Sequence, residues 1–219
     1  MINRDYILML IEQFGFFLRK IFFHVENEEF DDALKEVGKT YNELLGMDGE
    51  LVRNMSSSQI TGFLKVAGST HFEKSLIIAS LFKVEGDIEK RQNGFTRFAF
   101  DKYMTAFNLF LDAFQNKEEL RIERFLKESD QIASDLWIYD NSEEFGLDLL
   151  KYYELRGCFD KAENVLFDLA ENGNVQIIQK GISFYNSLLK KSDEELDNGK
   201  LPRTEILDSM KVLQEKIQA

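Results

Sequence analysis

Apolar positions recur every three or four residues along almost the whole chain, the spacing of amphipathic helices rather than of strands. Over about Arg4 to His24, Ile7, Leu10, Phe14, Phe17 and Ile21 form one stripe. Ile11, Leu18 and Phe22 widen it, and Met9, Phe16 and Phe23 make a second face apolar. Only Asp5, Glu12, Gln13, Arg19 and Lys20 keep a strip polar, so this helix is expected to be covered on more than one side. The next helix, about Glu28 to Leu45, turns Phe30, Ala33, Leu34, Val37, Tyr41 and Leu44 inward and stops at Gly46. Asp48 and the serines at 56–58 read as starts of two shorter pieces, the second with Ile60, Phe63, Leu64 and Val66 inward.

A long helix over about Phe72 to Arg91 places Ile77, Leu81, Val84 and Ile88 on its apolar face, and Asn93-Gly94 ends it. The following one, to about Gln115, carries Ala99, Ala106 and Ala113 at intervals of seven, a seam that lets a neighbouring helix approach closely. Further helices are predicted over Glu118 to Trp137, from a Ser142 cap to Arg156, over Phe159 to Ala170 and over Val175 to Lys190. Ser192-Asp193-Glu194-Glu195 matches a capping box. Pro202 fits the first position of a last helix faced by Ile206, Leu207, Met210, Leu213 and Ile217. No segment reads as a strand and every connection is short. The expectation is one all-α domain over residues 1–219.

Composition agrees. The 219 residues include one proline and 13 glycines, too few for the turns of a sandwich or barrel, and 44% are hydrophobic, enough for a core. The net charge of −12, from 27 basic and 39 acidic residues, opposes phosphate backbones, and the densest basic stretches, Arg19-Lys20, Lys90-Arg91 and Lys190-Lys191, are doublets rather than the stripe that non-specific nucleic-acid binding requires. A lone Cys158 makes no intramolecular disulfide, which suits a reducing compartment. The run from Tyr6 to Val25 is long enough to span a bilayer, but Glu12, Arg19 and Lys20 interrupt it. With no signal peptide legible, a cytoplasmic protein that does not enter membranes is expected.

An internal repeat is visible in Phe30-Asp31-Asp32-Ala33 and Phe159-Asp160-Lys161-Ala162. Ala33, Ala99 and Ala162 fall 66 and 63 residues apart, close to two units of about 34 residues each. The run Gly94, Ala99, Tyr103, Ala106 resembles the second helix of a tetratricopeptide repeat, and Leu149 to Ala162 resembles the join between its two helices. The best match covers residues 72–171, though Asp87 stands where a small residue is expected by counting back from Ala99. The whole chain, from Arg4-Asp5-Tyr6-Ile7 to Gly199-Lys200-Leu201-Pro202-Arg203, is also similar to an uncharacterised bacterial family of tetratricopeptide-like proteins. The resemblance implies antiparallel helix pairs stacked in a right-handed superhelical array. In such arrays the first helix of each unit lines the concave face. It thereby singles out Lys83, Lys90, Lys151, Tyr152, Glu154 and Leu155 as binding residues, with Tyr153 inside.

No group of residues converges for catalysis. His24 and His71 lie 47 positions apart without ligand spacing, no phosphate loop or nucleophile elbow is present, and Cys158 has Asp160 rather than a histidine beside it. The pairs Glu28-Glu29, Glu118-Glu119 and Glu143-Glu144 sit in first turns, where the helix dipole accounts for them. The expectation is therefore no catalytic residue, metal or cofactor. The function expected is a non-catalytic scaffold for a protein or peptide. The alternatives are a small-ligand sensor or enzyme with an inter-helix pocket, and a homo-oligomer formed through the first helix by Ile7, Phe14, Phe17 and Ile21. Trp137 with Ile138 and Tyr139 is read either as a recognition patch or as a plug at a helix end.

Overall fold

In a computed structural model the described residues are 2–67, 71–116, 122–171 and 174–218, with the backbone alone described for 2–5, 7, 67, 71, 217 and 218. The side chains of Ile7, His71 and Ile217 and the pairs Glu118-Glu119 and Asn172-Gly173 lie outside the description. All regular structure among the described residues is helical: α1 (Ile2–Glu26), α2 (Phe30–Leu45), α3 (Gly49–Arg53), α4 (Ser57–Ala67), α5 (His71–Asn93), α6 (Arg97–Asn116), α7 (Glu123–Tyr139), α8 (Glu143–Arg156), α9 (Phe159–Ala170), α10 (Val175–Leu188), α11 (Asp193–Asn198) and α12 (Arg203–Gln218). The chain forms two compact units, residues 1–136 and 137–219.

The helix starts follow the local chemistry. Asp48 accepts from the Leu51 amide at 3.0 Å, Ser142 from Phe145 at 3.3 Å and Asn174 from Gln176 at 3.0 Å. Ser192 and Glu195 complete the capping box in both directions. Helices α2 and α8 end on Gly46 and Gly157 in the left-handed conformation, at φ of 66° and 67°. Pro202 lies one residue before the start of α12, where its carbonyl accepts the first helical bond from Ile206.

In the first unit α1 packs on α2 and α5 on α6, with α4 against the second pair. Leu10, Phe14, Leu18 and Ile21 are the inward residues of α1, and Phe14 stacks on Phe125 of α7 at 6.5 Å. Helix α5 is the centre: every residue from Ser75 to Gly86 is buried, polar ones included. Buried Glu85 therefore needs partners, and it has two, Lys102 Nζ and Arg53 Nε, each at 2.8 Å. The small residue that lets α6 approach is Gly86, one position before Asp87. A methyl on Gly86 would stand 2.6 Å from the Tyr103 ring, whose hydroxyl donates to Asp87 at 2.8 Å.

The second unit pairs α8 with α9 and α10 with α12. Gly146 lies under Leu169, and Gly181 between Leu166 and Leu213. Glu163, on α9, is buried and accepts from the Tyr185 hydroxyl at 2.7 Å. Ala33, Ala99 and Ala162 are all fully buried, and they stand in the second helix of the pairs α1/α2, α5/α6 and α8/α9.

Candidate functional site

An open groove of about 820 Å³ runs between α8 and α10 in the second unit. Leu147, Asp148, Leu150, Lys151 and Glu154 line it from α8, and Gln176, Gln179, Lys180, Ser183, Phe184 and Ser187 from α10. Each set recurs at three or four residues, so each is one helix face. Two hydrogen bonds fix the spacing of the walls. Asn174 Nδ2 donates to Glu143 Oε2 at 2.7 Å beside the N-termini, and Ser187 Oγ donates to Glu154 Oε1 at 2.9 Å toward the other end. These bridges join residues 31 and 33 positions apart, so α8 and α10 run parallel with a near-constant offset.

The floor is apolar, with Leu150 and Phe184 buried, while the rim carries Lys151, Gln176, Gln179, Lys180 and Ser183, all exposed. Partial burial raises the Asp148 carboxyl above the usual carboxylate range; Lys151 offsets part of this and Glu144 adds to it. Such a surface offers amide, hydroxyl, ammonium and carboxylate groups to a ligand.

The six residues singled out from the sequence divide between the units. Lys151 and Glu154 line the groove, and Leu155 is half-buried next to it in sequence. Tyr152 is fully buried and so presents nothing to a groove; it sits at 5.4 Å between ring centroids from Tyr153, also buried. Lys83 and Lys90 belong to the first unit. Lys83 is buried on the central helix and donates to Asp87 at 2.6 Å, while half-buried Lys90 donates to Asp135 at 3.0 Å and lies over the Phe95 ring. Neither is an open rim residue. The five polar contributors from α10 were missed, although Gln176, Gln179, Lys180, Ser183 and Ser187 carry a helical period of their own.

Elsewhere, His24 Nδ1 lies 2.7 Å from Glu29 Oε2, and with Asp32 it forms a group whose ligand atoms all lie within 4.8 Å of one another. Glu29 and Asp32 are exposed, and the Lys35 ammonium at 2.8 Å holds the Asp32 carboxyl below its ordinary range. Half-buried Cys158 precedes α9, with its thiol 4.0 Å from the Arg156 carbonyl. Trp137 is half-buried, with Nε1 donating to Asp168 at 3.3 Å and its ring 6.2 Å from Phe145, which leaves Ile138 and Tyr139 exposed. Phe14 and Ile21, expected at a subunit interface, are inside the first unit, and Phe17 is half-buried. Among the described residues, no helix is long and apolar enough to cross a membrane.

The model of one protein family, described as a family of unknown function (DUF6483), matches residues 1–218, and the chain belongs to that family. No curated protein and no solved structure matches it.

Proposed function

We propose, for this member of a family whose function is unknown, a non-catalytic scaffold that holds a short extended peptide in the groove between α8 and α10. The observation that carries the reading is the groove itself: an apolar floor flanked by two parallel polar helix faces that contain Lys151 and Glu154. An extended peptide needs backbone partners along its length and a few side-chain anchors. Gln176, Gln179 and Ser183 suit the former, while Lys151 and Lys180 suit a carboxylate of the peptide.

The fold reading that goes with this is an array of antiparallel helix pairs wound in a right-handed, tetratricopeptide-like superhelix. The offset of 31 to 33 residues between α8 and α10 supports it, as do the buried alanines at 33, 99 and 162. A protein of the reducing cytoplasm is the matching location, since a chain with a single cysteine forms no intramolecular disulfide.

The test is to pan a displayed library of random peptides on the full chain and measure the enriched peptides by calorimetry. The expected result is a set of carboxylate-bearing sequences whose affinity falls at least about tenfold with Lys151→Glu and Lys180→Glu together. Failure to enrich any sequence, or affinity indifferent to both reversals, would overturn the reading.

A further inference from the structure

We infer that the outward face of α1 is a self-association surface, through which two copies of this chain pair in antiparallel, two-fold register centred on Phe16. The inward face is already filled by Leu10, Phe14, Leu18 and Ile21. On the opposite face Met9, Phe16 and Phe23 stand seven residues apart, close to two helical turns, and are 47%, 51% and 61% exposed. Large apolar side chains in a heptad row suit the seam of a helix pair better than a solvated face.

The charges beside the row select the occupant. With 3.6 residues per turn, Glu12 and Arg19 flank the row on one side and Gln13 and Lys20 on the other. A parallel pair in register sets opposite flanks at the same height, so each Arg19 meets the second copy's Lys20, and like charges repel. A two-fold antiparallel pair sets like flanks together with the numbering reversed. Phe16 then meets its own counterpart, Met9 the second copy's Phe23, Glu12 its Arg19 and Gln13 its Lys20. The charges that oppose one arrangement favour the other.

At present Lys20 Nζ lies 4.7 Å from the Phe16 ring centroid and Arg19 Cζ 5.8 Å, so two cations rest on the central aromatic. In the pair they swing to the flanks. A helix lying on a lipid surface wants a cationic polar face, whereas Glu12 stands within this one and the whole chain carries −12. Full burial of an aromatic side chain is worth roughly 150–250 Å², so Met9, Phe16 and Phe23 together offer roughly 300 Å² per copy. A standard interface takes about 800 Å² from each partner. The pairing is thus reversible and concentration-dependent.

Sedimentation equilibrium of the full chain, over a wide range of loading concentrations, tests this directly. A monomer–dimer equilibrium is expected. Phe16→Glu, at an exposed position, should weaken it at least about tenfold while leaving the circular dichroism spectrum unchanged. Glu12→Arg or Arg19→Glu alone should weaken it, and the two together should restore it. Disulfide trapping in a Cys158→Ser background should cross-link a Phe16→Cys chain to itself, but not a Phe23→Cys chain. A monomer at every concentration would overturn the proposal. So would a dimer indifferent to Phe16→Glu, self-cross-linking at position 23, or a monomeric chain that binds phosphatidylserine vesicles through this face.

Discussion

Glu85 shows at the level of one side chain how the central helix tolerates charge. Its carboxylate is 2% exposed and touches both Lys102 and Arg53 at 2.8 Å. Lys102 is as deeply placed, between the rings of Phe82 and Phe98. Removing the shared anion strands a buried ammonium, so Glu85→Gln should cost about 3–5 kcal/mol in urea denaturation. The double change Glu85→Met with Lys102→Met should cost less, because the buried ammonium leaves with its anion and Arg53 keeps Glu50 at 3.1 Å and the Leu34 carbonyl at 2.7 Å. Glu163 behaves differently. Burial raises its carboxyl above the usual range, against the opposing hydrogen bonds from Tyr185 and Ser209. The folded state therefore holds that proton more tightly than the unfolded one. This contribution is fully present below the unfolded value and is lost as pH rises through the folded value. Glu163→Gln keeps an acceptor for Tyr185 and removes the titration. Relative to the wild type, it should gain stability as pH rises above the ordinary glutamate value of 4.5 in paired denaturation curves.

At the level of elements, two glycines inside helices have opposite roles. Gly86 is a contact point between α5 and α6, and the Tyr103 ring beside it is pinned by Asp87 and cannot yield. Gly86→Ala should destabilise by about 1–3 kcal/mol through overpacking. Gly62 is exposed on α4 with no atom within 4 Å of a new methyl, so Gly62→Ala should stabilise by about 0.5–1 kcal/mol through backbone entropy alone. Thermal melts of the two variants should move in opposite directions. The contrast also explains what could be read in advance. Helix ends were legible at Asp48, Ser142 and Ser192 because a cap is a contact between residues two or three apart. The fate of polar residues on α5 was not. Lys83 and Glu85 follow the pattern of an exposed face, yet the helix is covered on all sides from Ser75 to Gly86, and only its neighbours determine that. The same holds for Tyr152: nothing in its local sequence separates it from Tyr153, and both are buried.

For the whole molecule, the all-helical class follows from period and composition, which are sums over the chain and survive local errors. The division into residues 1–136 and 137–219 was not visible, because no linker composition marks position 137. The groove was half legible: the resemblance pointed to Lys151 and Glu154 on α8, while the α10 wall lies beyond residues 72–171, which carry it. Trp137 gives this division an optical consequence. It is the only tryptophan, it belongs to the second unit, and its surroundings there are Asp168 and Phe145. Its fluorescence is thus a built-in dye for one half of the protein, whereas far-ultraviolet dichroism averages over all the helices. Overlaid on a single melt, the two signals reveal whether the halves come apart together or in turn, without any label.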